Sequence, residues 1–162
     1  MINFRKATQK DVPLITKIYN QNIPKRTVTA DLKPASDEDM LGALKSHNDK
    51  RLFWMIVMDH KSVGWVSLES FYGRPAYHST VEISIYIDNH YQHRGIGTST
   101  LKLINQQTQR LNIHTILAFI FSVNRPSQKL FKAMGYQQYG HLPKVADMKG
   151  KLISLDILGK KF

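Results

Sequence analysis

Two stretches of this 162-residue sequence combine residue types that do chemistry. Between Thr80 and Asp88, apolar Val81, Ile83, Ile85 and Ile87 alternate with Glu82, Ser84, Tyr86 and Asp88. That period of two is a strand with one apolar and one polar face. Glu82 lies on the polar face, and a carboxylate desolvated there titrates above its ordinary range and gains strength as a general base. The other reading of Glu82 is a strand-face glutamate paired with a cation such as Arg74. The strand gives way to Gln92-His93-Arg94-Gly95-Ile96-Gly97 and, from Thr98, to a helical pattern. Such a turn gathers backbone N–H groups at a helix N-terminus, where the donors and the dipole suit a diphosphate. Gly95 and Gly97 let oxygen atoms approach the backbone, and Arg94 adds a fixed positive charge. The third glycine of the dinucleotide fingerprint and the Gly-Lys-Ser/Thr of a P-loop are missing, so neither NAD nor ATP is expected.

Other groupings carry less. His90 and His93 have ligand-like spacing but no acidic partner nearby in the loop, so no metal is expected. The chain has no cysteine, which removes a disulfide framework, thiolate zinc sites and a Cys nucleophile. No Gly-x-Ser-x-Gly elbow occurs. Lys plus Arg number 23 against 12 Asp plus Glu, a formal charge of +11. Divided at Val81, the first half holds 12 basic and 8 acidic residues (+4) and the second 11 and 4 (+7). That excess points to an anionic partner of the C-terminal half, either a phosphorylated cofactor or nucleic acid. No apolar run approaches the ~20 residues that span a bilayer. The opening Met1-Ile2-Asn3-Phe4-Arg5 lacks a signal core, and a cytoplasmic location is expected.

One α/β domain over residues 1–162 must position these groups. Ile2 to Arg5 reads as a first strand, and Asp11 as the cap of a helix that buries Val12, Ile15, Ile18 and Tyr19. Gln21 to Pro34 has two prolines and no period, hence loop. Ser36-Asp37-Glu38-Asp39 resembles a capping box before a second helix through Leu41 and Leu44. Leu52–Met58 and Val63–Phe71 read as strands joined by a hairpin, with Trp54 and Trp65 in the core. After Gly97 come a helix (Leu101, Ile104, Thr108, Leu111), a strand (Thr115–Phe121), and a short helix from Asn124-Arg125-Pro126-Ser127 to Gly135. Strands at Tyr136–Tyr139 and Leu152–Leu158 close the chain. The order of elements excludes a helical bundle or a β-sandwich.

Gln-x-x-Gly-x-Gly after an alternating strand resembles the acetyl-CoA-binding signature of the GNAT superfamily of N-acetyltransferases. Asn124-Arg-Pro-Ser127 through Gly135-Tyr136 and the opening Ile2–Asp11 resemble neighbouring segments of the same superfamily. Within it, Ile18-Tyr19-Asn20, Thr27-Val28-Thr29, Arg74-Pro75-Ala76-Tyr77 and Thr80-Val81-Glu82 are most similar to the phosphinothricin acetyltransferases. The resemblance implies a mixed, mostly antiparallel sheet flanked by helices, with acetyl-CoA in a V-shaped gap between two strands. It implies transfer of an acetyl group directly to a small primary amine, amino-acid-like in the manner of phosphinothricin or methionine sulfone, with Glu82 as a water-mediated base. Ile85, Tyr86 and Ile87 match the segment that holds the pantetheine arm. Gln92, His93, Arg94, Gly95, Ile96, Gly97 and Thr98 match the diphosphate loop, and Asn124 matches a cofactor-contacting asparagine, with Ser127 beside it. Phe71, Tyr72, Arg74 and Tyr77 fall where the acceptor pocket should be. A homodimer is also implied.

Two positions depart from the pattern. Phe131 stands where many members have a Tyr that protonates the leaving thiolate. Leu152-Ile153-Ser154 replaces the subgroup's Trp-x-Asp, so the pocket wall should differ there. The alternative acceptors are a protein N-terminus or a polyamine. Readings of another class are a basic nucleic-acid-binding module, whose binding would depend steeply on salt, and an acyl-CoA-binding protein without turnover.

Overall fold

Seven strands form one sheet in the order β1-β2-β3-β4-β5-β7-β6. The computed structural model describes all 162 residues. The strands are β1 (Ile2–Lys6), β2 (Phe53–Met58), β3 (Lys61–Ser70), β4 (Thr80–Ile87), β5 (Thr115–Phe121), β6 (Gln137–Met148) and β7 (Lys151–Lys161). The helices are α1 (Val12–Asn20), α2 (Asp37–Lys45), α3 (Ile96–Gln107) and α4 (Arg125–Ala133). All neighbouring pairs are antiparallel except β4 and β5. The mixed, mostly antiparallel sheet flanked by helices is therefore the architecture the sequence implied.

The alternation in β4 separates two cores. Val81 and Ile83 join Val66, Leu68, Leu101, Ile104 and Ile116 beneath α3 and α4. On the other face Tyr86 packs with Trp65, Phe53 and the α1 residues Ile15, Ile18 and Tyr19. Ser36 closes α2 as expected. Its hydroxyl accepts from the Asp39 N–H at 3.1 Å, and the Asp39 carboxylate accepts from the Ser36 N–H at 3.0 Å.

Two expectations are corrected. Asp11 does stand at the N-cap of α1, but its side chain makes no capping hydrogen bond there. It accepts from the Thr8 N–H at 2.8 Å and takes both ends of the Arg5 guanidinium, so it ties β1 to the turn ahead of α1. The strand expected at Tyr136–Tyr139 runs instead from Gln137 to Met148, with irregular register at Gln138/Gly140 and Leu142/Ala146. An exposed edge strand tolerates Gly140 and Pro143, which broke the sequence pattern.

Candidate active site

The parallel pairing of β4 with β5 ends early. Its rungs are Thr80–Thr115, Val81–Ile116 and Glu82–Leu117, yet β4 continues to Ile87 and β5 to Phe121. Beyond Glu82 the two strands diverge, and alternate β4 backbone groups on that edge lose their ladder partners. Glu82 thus marks the apex of a wedge. A cleft of about 410 Å³ follows the wedge to the N-terminal ends of α3 and α4.

The loop before α3 supplies the anion-binding part of this cleft. His93 and Gly95 have φ of +61° and +74°, a left-handed pair that curls the chain. The N–H groups of Gln92, His93, Arg94 and Gly95 donate to no acceptor within the protein. Those of Ile96, Gly97 and Thr98 lie in the first turn of α3, with no intrahelical carbonyl to reach. These donors at a helix N-terminus form a concavity suited to phosphate oxygens. Gly97 also leaves room for α4: a Cβ there would lie 2.7 Å from Leu130 Cδ2, the end of a side chain that would have to shift.

At the facing end, Asn124 caps α4, its side-chain oxygen accepting from the Ser127 N–H at 3.4 Å. Its amide nitrogen keeps its hydrogens free for the cleft, which both Asn124 and Ser127 line. All the residues matched to the cofactor segments reach this cleft except Arg94. The Arg94 side chain turns away, donating to the His90 carbonyl at 3.3 Å with its guanidinium 5.2 Å from the Tyr91 ring centre. His90 does have an acidic partner, Asp88 Oδ1 at 2.8 Å from its Nδ1. Phe131 is buried along the cleft, edge-on to Tyr136.

Lys25 also reaches the cleft, with Asn22, Thr27 and Val28. Its ammonium donates to Asn89 Oδ1 at 2.8 Å, and partial burial pulls its pKa down. Nothing in the sequence singled out these residues as a wall of the cleft, because the aperiodic loop after α1 carries no pattern that fixes where it packs.

Glu82 has neither a hydrogen bond nor an ion pair, and the Arg74 pairing is absent. Burial first, then the charge of Glu69, raises its pKa above the ordinary glutamate value. Glu82 shares its face of β4 with Ser84 and Tyr86, and those two line a second cavity of about 560 Å³ toward α1 and α2. Tyr86 lines both spaces. Phe71, Tyr72, Arg74 and Tyr77 reach neither of them. Phe71, Tyr72 and Tyr77 form an aromatic cluster on the β3–β4 connection, with Phe71 against Phe119. Leu152 is exposed, and Ile153 is buried with Phe121 and Met148, away from both spaces.

Residues 2–137 match the acetyltransferase (GNAT) domain family. The chain belongs to the GNAT acetyltransferases. It is 38% identical over 161 residues, 99% of each chain, to YwnH of Bacillus subtilis, a candidate phosphinothricin acetyltransferase. It is 24% identical to an L-methionine sulfoximine/L-methionine sulfone acetyltransferase of Pseudomonas aeruginosa, over 96% of this chain and 92% of that one. The crystal structure of a candidate phosphinothricin N-acetyltransferase superposes with a TM-score of 0.94 at 37% identity, covering 99% and 98% of the two chains. The same fold recurs, at 21% identity and a TM-score of 0.93, in a Sinorhizobium meliloti phosphinothricin acetyltransferase bound to acetyl-CoA. Membership makes this chain an N-acetyltransferase and displaces the reading as a nucleic-acid-binding module. No helix is long and apolar enough to cross a membrane.

Proposed function

We propose that the protein transfers an acetyl group from acetyl-CoA to a small primary amine of the amino-acid-like kind on which its relatives act, with Glu82 as general base through water. The observation that carries this reading is the divergence of β4 from β5 beyond Glu82, which opens, next to a partly desolvated carboxylate, a cleft ending in unpartnered N–H groups. Acetyl-CoA fits that donor set. Its diphosphate suits the loop from Gln92 to Thr98, and its arm suits the free edge of β4 at Ile85–Ile87 and the Asn124 amide. When bound it supplies an activated acetyl group.

An ammonium has no lone pair, so the acceptor must first lose a proton, and Glu82 takes it through water. Elevation of its pKa brings a carboxylate nearer to the amine it must deprotonate. A β4 backbone N–H on the free edge donates to the oxygen that gains charge, a contribution worth about 3–4 kcal/mol in comparable sites. The neutral amine forms the C–N bond, its nitrogen gives up a second proton to solvent as the C–S bond breaks, and with Phe131 unable to donate, the departing thiolate is protonated by solvent. Burial pushes the Tyr86 phenol up to about 12, so it remains a neutral hydrogen-bond donor at the junction of the two spaces. A cytoplasmic location and a homodimer belong to the same proposal, the second checked by sedimentation. Calorimetry with acetyl-CoA, followed by free-thiol release over a panel of amines, tests the reading. Absence of binding overturns it.

A further inference from the structure

The second cavity has its own chemistry. Its floor comes from register pairs of β3 and β4, Trp65 opposite Tyr86 and Ser67 opposite Ser84, with Glu69 at the rim and Glu82 its register partner just beyond. The indole and the phenol lie 4.6 Å apart, centre to centre. Ser67 is only 2% exposed, lines the cavity, and has no hydrogen-bond partner in the protein. Its hydroxyl opens onto the cavity and is free to bond what enters the space. Asp31 and Lys33 face the floor from the loop after α1. Asp31, Asp39 and Glu69 therefore line a space with one lysine, a local excess of negative charge in a chain of net +11.

Aromatic faces and carboxylates together favour a cation, and the same carboxylates repel an anion. We infer that this cavity receives the far end of the acceptor and selects a small amine carrying a second positive charge, such as an α,ω-diamine or a basic amino acid, over one ending in a phosphinate or a sulfone. The inference rests on the acetyltransferase reading above and narrows its acceptor. One amine, deprotonated at Glu82, is acetylated, and the other stays an ammonium between Glu69, Asp31 and the aromatic floor. Ser67 and Ser84 take part of its hydrogen bonding.

The test is free-thiol release from acetyl-CoA with 1,4-diaminobutane, lysine, n-butylamine, methionine sulfone and glufosinate, at low and high salt. The two acceptors with a second ammonium should exceed the other three in kcat/KM by about tenfold, the worth of one exposed ion pair plus one cation–π contact. Added salt should shrink the advantage. Glu69→Gln should raise KM for 1,4-diaminobutane several-fold with a much smaller change for n-butylamine, a split that general loss of structure does not produce. Equal rates for all amines, or a preference for glufosinate or methionine sulfone, overturns the inference and leaves the acetyltransferase standing. Binding of acetyl-CoA without thiol release for any amine overturns both.

Discussion

Glu69 and Glu82 stand directly opposite each other across the β3–β4 ladder. Like charges so placed oppose each other's ionisation, and burial followed by Glu69 raises the pKa of Glu82. A base works only when ionised, so turnover should fall as pH drops through a value above the ordinary glutamate range. Glu69→Gln removes the second cause and should move this acid limb to lower pH. Profiles of kcat at saturating acetyl-CoA measure the shift, and an unmoved limb would contradict the coupling.

Glu82→Gln should lower kcat by about 10²- to 10⁴-fold, the usual worth of a positioned base. Its stability should move the other way. A folded-state pKa above the unfolded one means that the protonated group favours folding below its unfolded pKa. That contribution disappears as pH rises through the folded pKa, and at neutral pH the buried charge is a cost. The glutamine variant should therefore unfold in urea at the same or a higher midpoint at pH 7. A lower midpoint would mean that the carboxylate has a stabilising partner.

The parts of the site legible in the sequence are those that one strand or one turn determines. Alternation through β4 assigned Glu82 and Val81 to opposite faces, and Gly95 and Gly97 marked the turn into α3 whose N–H groups stay free. The cavity proposed for the acceptor was not legible. Asp31 and Lys33 sit in a loop without period, and only the packing of α1 and α2 over Trp65 brings that loop to β3. Phe71, Tyr72, Arg74 and Tyr77 were placed by resemblance alone, and the fold carries them to the surface of the β3–β4 connection instead. Arg94 shows the same limit. Its position in the loop was readable, but not the direction of its side chain, which Tyr91 and the His90 carbonyl set.

Arg5 and Asp11 form a bidentate pair, with N–O distances of 2.8 and 2.6 Å. The Arg5 hydrogen bonds and the Thr8 N–H hold the Asp11 carboxyl below its ordinary value. This stabilisation is present above the unfolded aspartate pKa and is lost as pH falls through the lower folded value. Asp11→Asn should cost about 1–2 kcal/mol at pH 7, a figure kept low because Arg5 is half exposed and screened. The difference from wild type should close under strongly acidic conditions. Urea midpoints at several pH values measure it, and a constant difference would assign the loss to packing.

Gly64 connects strand packing to the cleft. A Cβ there would sit 2.6 Å from the Tyr86 carbonyl oxygen and 3.2 Å from Ile87 Cα, both backbone atoms of β4. Backbone cannot swing aside as a side-chain terminus can, so Gly64→Ala must push β4 where Tyr86 and Ile87 border the cleft. Overpacking of this kind costs about 1–3 kcal/mol, and the displaced strand should weaken acetyl-CoA binding by about tenfold in calorimetry. Gly42→Ala is the matched control. That glycine lies in α2 with nothing within 4 Å of the added methyl. Its replacement should raise stability by about 0.4–1 kcal/mol through loss of unfolded-state freedom and leave acetyl-CoA affinity alone. If Gly64→Ala lost stability yet bound acetyl-CoA normally, the strain would have been taken up by β3, and the β4 edge would not be the element that sets the cleft.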